Sequence, residues 1–181
     1  MTTQLRALQS YFRPATADEA VNLKREYGPR ASYLGGGTDL MVHKPDDLEV
    51  LIDVRHCDIS YIESSEDAYA VGGACLLRDC EEALAPAASG MLRLAIRETA
   101  PWLIRNAATL SGNIANASPA ADSVPALLAA DAELLLSDGS DEWVPLEQIL
   151  DAPHRTKLGD RLIREIRISR RNDRKVGSFT K

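Results

Sequence analysis

Apolar positions along the chain recur with two periods, and the switches between them mark its elements. Thr16-Ala-Asp-Glu19 is a capping box: the Thr16 hydroxyl can take an orphan helical N–H while Glu19 reaches back to the cap. A helix over residues 17–27 follows, with Ala20, Val21, Leu23 and Tyr27 at helical spacing, and Gly28-Pro29 stops it. Residues 31–34 read as a short strand and 49–54 as a buried one, with a single helical turn predicted at 39–43. A further strand at 68–71 closes on Gly72-Gly73. Helical patterns then occupy 76–84 and 90–99, the second ended by Pro101. Residues 106–119 are small and aperiodic and read as an irregular segment, whereas 122–130 has the pattern of a short apolar helix. Ser-Asp-Gly-Ser-Asp, between apolar runs at 133–136 and 142–144, is a hairpin signal. Residues 162–168 and 176–180 read as strands.

Strands and helices alternate without a fixed repeat, which predicts a mixed α and β fold in two lobes with a boundary near residues 55–66. Composition adds exclusions. A net charge of -6 over 181 residues argues against a nucleic-acid backbone or an anionic membrane as partner, since few counterions would be released. Aromatic residues at 5% leave little to stack on bases, so the core must be aliphatic. No apolar run approaches the roughly 20 residues of a membrane span, and the N-terminus lacks a signal-like core, so a cytoplasmic protein is expected. Cys57, Cys75 and Cys80 are odd in number and lack C-x-x-C spacing, which predicts reduced, buried thiols rather than disulfides or a metal site.

Several chemistries are missing at the motif level. There is no G-x-x-x-x-G-K-[ST] loop, no G-x-S-x-G elbow, and no ligand spacing among His43, His56 and His154. The run Tyr33-Leu34-Gly35-Gly36-Gly37-Thr38-Asp39-Leu40 follows a strand without fitting G-x-G-x-x-G, so a Rossmann dinucleotide fold is not supported. The residues themselves leave two readings open, a tight turn or a bed for an anion, because glycine serves both. A second stretch, Thr109-Leu110-Ser111-Gly112-Asn113, offers hydroxyl and amide groups around a glycine and runs on to Asp122. Two such loops could hold a diphosphate by neutral donors, with no lysine or arginine in either. On the residues alone, an irregular loop satisfying its own backbone is slightly favoured.

The pair LGGGTDL at 34–40 and IRNAATLSGNIANASPAAD at 104–122 closely resembles the FAD-binding subunit of the molybdenum hydroxylases, the family of the flavoprotein components of xanthine dehydrogenase, carbon monoxide dehydrogenase and 4-hydroxybenzoyl-CoA reductase. The opening YFRPAT at 11–16 and the ending around Phe179 and Lys181 are similar to the family as well. The resemblance implies an α+β fold, the two-lobed FAD-binding domain of the p-cresol methylhydroxylase type, with residues 1–57 as one lobe and 58–181 as the other. It implies that Tyr33, Leu34, Gly35, Gly36, Gly37, Thr38, Asp39 and Leu40 wrap the FAD diphosphate from one side. Thr109, Leu110, Ser111, Gly112 and Asn113 would close on it from the other, Asp122 would bind the cofactor beyond the diphosphate, Ile163 would line the flavin region, and Lys181 would lie near the ring.

By the same resemblance the chain is the electron-transfer subunit of a molybdenum-dependent hydroxylase or dehydrogenase. Its partners would be a large subunit with the molybdenum cofactor and a small one with [2Fe-2S] clusters, and NAD or another carrier would take the electrons. No catalytic acid–base pair and no metal ligand is then expected on this chain. Two departures are expected: Ser111 occupies a position where the family usually has glycine, so its Cβ is expected at the phosphates, and the family's usual C-terminal domain is expected to be absent. A valine at Gly36 is expected to block the phosphates and spare the fold. Two rival readings are a stand-alone flavin oxidase and a truncated or degenerate assembly module that holds no FAD. Arg105 reads as half of a structural ion pair and Trp102 as core or interface filling.

Overall fold

The computed structural model describes residues 8–174. Its first sheet has three parallel strands, β1 (Ser10–Phe12), β2 (Ala31–Leu34) and β3 (Val50–Asp53), with β3 in the middle. The helix α1 (Ala17–Tyr27) joins β1 to β2 and begins as its capping box dictates. Thr16 Oγ1 accepts from the Glu19 N–H at 3.1 Å, and the Glu19 carboxylate accepts from Ala15 N–H, one residue before the cap, at 2.8 Å. Gly28 ends the helix at φ +57°, a conformation that a side chain resists. Strand β1 carried no recognisable period, because three residues are too few to show one.

The second sheet is antiparallel and five-stranded. Strands β4 (Ile62–Ser64) and β5 (Ala68–Gly72) lead into four short helices: α2 (Leu77–Ala83), α3 (Met91–Thr99), α4 (Trp102–Arg105) and α5 (Leu110–Asn116). After α6 (Ser123–Ala129), strands β6 (Glu133–Ser137) and β7 (Asp141–Pro145) form the hairpin that the Asp-Gly turn predicts. A single turn, α7 (Leu146–Ile149), and a small ladder of β8 (Leu150–Ala152) with β9 (Arg155–Thr156) precede β10 (Leu162–Ser169). The sheet order β4-β5-β10-β6-β7 puts β10 at its centre, so the last strand among the described residues closes the sheet. The strand expected at 176–180 lies outside the described residues.

The segment expected to be irregular, 106–119, contains helix α5. Only Leu110 and Ile114, four residues apart, are buried hydrophobics within that helix, and a face that narrow leaves no visible period. The turn expected at 39–43 forms without becoming a helix, with the N–H groups of Val42 and His43 both bonded to the Asp39 carbonyl at 2.9 Å.

Two cores result. The larger packs α2, α3, α5 and α6 on one face of the antiparallel sheet and is almost wholly aliphatic. The smaller lies between α1 and the parallel sheet and takes in Ala74 and Leu162 from the other part of the chain. Each fully buried large side chain in them, such as Ile52 or Leu127, contributes about 1.5–3 kcal/mol by leaving water. Cys57 sits in the smaller core and Cys75 and Cys80 in the larger; all three are free thiols. Burial, helped by nearby carboxylates, pushes the Cys57 thiol up to about 11, and burial does the same for Cys75.

Charged side chains tie the two sheets together. The Lys24 ammonium donates to the carbonyls of Gly28 and Ala31 at 3.0 and 2.7 Å and meets Asp160, just before β10, at 2.9 Å. Arg164 in β10 spans Asp18 of α1 and Asp141 of β7. The end of β3 is fixed by Asp53, which is 0% exposed. Its carboxylate accepts from Arg55 Nε and Nη2 at 2.9 and 2.7 Å and from the Tyr11 hydroxyl. Burial alone would raise the Asp53 pKa, but these hydrogen bonds outweigh it and bring the group down to about 2.

Candidate functional site

Strand β2 delivers its last residue, Leu34, beside Asp53 of β3, and the chain leaves the sheet there as Gly35-Gly36-Gly37. Between α4 and α5 a second segment arrives from the other sheet. Thr109, 1% exposed, is the N-cap of α5, and its Oγ1 accepts from Gly112 N–H at 3.1 Å. The two segments touch: a Cβ on Gly35 would stand 2.7 Å from Thr109 Oγ1, and one on Gly36 would stand 2.5 Å from the Ala108 Cα and closer still to the Ala107 carbonyl oxygen. Real Cβ atoms do not approach that near, so both glycines are demanded by the contact between protein segments. The expectation that a valine at Gly36 would spare the fold is therefore corrected. Gly37 has another reason, a φ of +68° that turns the chain back toward Met41.

Between the segments lies a cavity of about 440 Å³. Of the residues singled out from sequence, it is lined by Tyr33, Gly35, Gly36, Gly37, Thr38, Asp39 and Leu40 on one side and Thr109, Gly112 and Asn113 on the other. Thr99, Asn116 and Ser118 add polar groups to the walls, and Leu77, Ile104 and Ala121 add apolar ones. Thr99, at the end of α3, lies outside both sequence stretches, and only the packing of α3 against α6 brings it inward; Asn116, on α5, lies within the second stretch but was not among its expected contacts. Among the described lining residues there is no lysine or arginine, and Asp39 is the sole charged one. Asp39 Oδ1 lies 3.4 Å from His43 Nδ1. The Tyr33 phenol is held neutral by burial, reinforced by Asp160 and Asp138, and donates to the Asp160 carbonyl at 3.3 Å.

Leu34, Leu110, Ser111, Asp122 and Ile163 do not contribute to the cavity wall. Leu34 and Leu110 are buried behind it. Ser111 turns its hydroxyl onto the Gly73 carbonyl, which locks α5 to the loop after β5, so the side chain is not aimed at the cavity as its position suggested. Asp122 stands between the cavity-lining Ala121 and buried Ser123, and Ile163 lies at the start of β10 with its carbonyl against Gly73. Lys181 and Phe179 lie outside the described residues. Arg105 is the structural arginine its pattern predicts, with Nε 3.2 Å from Glu81 and Nη1 bonded to the Arg97 carbonyl at 2.8 Å. Trp102 is 62% exposed, belongs to no core cluster among the described residues and does not line this cavity.

The donor set suits a polar, anionic ligand. Among the described residues no protein backbone group accepts from the N–H groups of Gly36, Gly37 or Thr38, and the hydroxyls and amides of the walls are neutral. The volume falls within the range of about 300–1,000 Å³ usual for small-molecule sites. Among the described residues no cluster of side chains could hold a metal ion, and no helix is long and apolar enough to cross a membrane.

The sequence pattern of the family described as "FAD binding domain in molybdopterin dehydrogenase" matches residues 4–170. An uncharacterized protein of Escherichia coli (strain K12), YgfM, is 30% identical over 161 residues, covering 88% of this chain and 58% of that protein. The xanthine dehydrogenase FAD-binding subunit of Escherichia coli O157:H7 is 31% identical over 156 residues, covering 82% of this chain and 53% of the subunit. Among solved structures, the carbon monoxide dehydrogenase from Hydrogenophaga pseudoflava lacking the Mo-pyranopterin moiety superposes with a TM-score of 0.83 at 24% identity, over 92% of this chain and 60% of that one. The last likeness establishes the α+β fold. The chain thus spans a little over half the length of the relatives it matches.

Proposed function

The chain belongs to the family of FAD-binding domains of molybdopterin dehydrogenases, and from that premise we propose that it holds FAD as the electron-transfer component of a molybdenum-dependent hydroxylase or dehydrogenase. The observation that carries this reading is the convergence of two glycine-containing segments, about seventy residues apart in sequence, on one cavity rich in neutral donors. Residues 1–57 would supply one wall as a first lobe and residues 58–181 the other. The open N–H groups of Gly36, Gly37 and Thr38 would hold the FAD diphosphate from one side, and Thr109, Gly112 and Asn113 would hold it from the other. Leu34, Leu110 and Ser111 support these loops from behind, Tyr33, Asp39 and Leu40 shape the entrance, and Asp122 and Ile163 serve parts of the cofactor beyond the diphosphate.

Bound flavin supplies the exchange between one-electron and two-electron carriers. The protein's own residues would orient the cofactor and exclude water from the diphosphate. The partners are a molybdenum-cofactor subunit and a [2Fe-2S] subunit in the cytoplasm, with NAD or another carrier as acceptor; the naming of one relative as a xanthine dehydrogenase subunit supports this. The test is direct. Purified protein titrated with FAD should quench flavin fluorescence, stay yellow after gel filtration and gain stability, by about 2.7 kcal/mol at a hundred times the Kd. A folded sample that remains colourless, without quenching or thermal shift, would refute the proposal.

A further inference from the structure

Asn113 reaches the cavity with an amide whose two ends are opposite in chemistry. Its NH2 group would hold a phosphate oxygen, whereas its carbonyl oxygen would repel one. Which end faces inward is decided by what holds the other. Asn113 Oδ1 accepts the hydroxyl hydrogen of Ser123 in α6. Ser123 is 0% exposed and does not line the cavity. Its own N–H donates to Thr99 Oγ1 at 3.1 Å, and the Thr99 hydroxyl donates in turn to the Ala95 carbonyl of α3 at 2.8 Å. The serine is thus clamped at a three-helix junction, with its hydroxyl hydrogen left for Asn113 alone.

We infer that Ser123 is a positioning residue for the cofactor site: it claims the carbonyl end of Asn113 and so presents both side-chain N–H groups to the diphosphate. The assignment rests on the FAD reading given above. It accounts for a hydroxyl in an otherwise apolar helix. A reversed amide would turn lone pairs on a dianion, so the orientation is worth about one hydrogen bond to a charged group.

The test is a double-mutant cycle read by FAD titration of the full chain, with melting temperatures recorded alongside. Ser123→Ala should raise the Kd for FAD about tenfold, as should Asn113→Ala, and the double variant should bind no more weakly than Asn113→Ala alone. In ligand-free protein, the side-chain amide resonances of Asn113 should lose their fixed position in Ser123→Ala. Should Ser123→Ala fold poorly, Asn113→Asp gives a second route. Its carboxylate keeps the Ser123 hydrogen bond yet offers no N–H, so the melting temperature should hold while FAD binding falls at least tenfold. Equal FAD binding by wild type and Ser123→Ala, the same tenfold loss from Ser123→Ala in the Asn113→Ala background, or undiminished binding by Asn113→Asp would each overturn the assignment alone. A folded wild-type chain that takes up no FAD would instead remove the flavin reading, and this assignment with it.

Discussion

Gly36 stands so close to Ala108 that a Cβ added to it would lie 2.5 Å from the Ala108 Cα. The contact joins the loop after β2 to the segment before α5, so the site is assembled by backbone against backbone. Gly36→Ala should therefore destabilise the FAD-free protein by about 1–3 kcal/mol, the usual cost of forcing one carbon into packed structure. Urea unfolding of the ligand-free protein measures it. An unchanged midpoint would show that the two segments can part without cost.

Ser111→Ala should separate stability from binding. The hydroxyl bonded to the buried Gly73 carbonyl is lost, at a cost of about 1–3 kcal/mol, while FAD affinity should change by less than about twofold. Equilibrium unfolding and flavin titration on the same variant give both numbers. Weakened binding with unaltered stability would place the hydroxyl at the phosphates after all.

Binding should tolerate salt. Asp39 is the sole charge among the described lining residues, and it has the sign of the ligand. Raising ionic strength from about 0.05 to about 0.5 M screens that repulsion, so the Kd for FAD should stay level or fall. Asp39→Asn should tighten binding about two- to fivefold at low salt. A Kd that climbs steeply with salt would require a cation at the diphosphate.

Asp53 makes stability depend on pH in acid. Its carboxyl lies at about 2 in the folded protein against an ordinary 3.8, so the folded state binds the proton less readily than the unfolded one. The contribution, about 2 kcal/mol, is complete above roughly pH 5 and disappears as pH falls through the folded pKa near 2. Asp53→Asn should lose on the order of 2–3 kcal/mol at neutral pH, because the charge facing Arg55 is lost and one of the two oxygens that accept from Arg55 and Tyr11 becomes an NH2 group, and should flatten the acid limb of the stability curve. Denaturant midpoints between pH 2 and pH 7 on both proteins test this; parallel curves would exclude Asp53 as the source.

What was legible in the sequence was whatever short-range chemistry decides. The Thr16 to Glu19 box, the Gly28 stop and the Asp-Gly hairpin each act within a few residues, and each forms where it was expected. Strand β1 and helix α5 escaped notice because they owe their form to partners far along the chain, β1 to Val50–Asp53 and α5 to Cys75 and Gly73. For the site, local residues marked both glycine segments, yet they could not show which way a side chain turns. Ser111 turns toward Gly73, and Thr99 reaches the cavity although only its tertiary neighbours place it there. Gly36 looked like a place made for a ligand, whereas Ala107 and Ala108 already occupy it.

The three thiols give the molecule a pair of built-in clocks. Cys57 belongs to the core under the parallel sheet, and Cys75 and Cys80 belong to the one under the antiparallel sheet. Each is neutral at physiological pH and shut away from solvent, so a maleimide or other alkylating reagent can reach it only when its own core opens. Timed alkylation followed by peptide mass analysis would thus read the breathing of each half separately in the native protein. Slowing of both rates by the same factor on adding a ligand would mark a molecule that closes as one body around it.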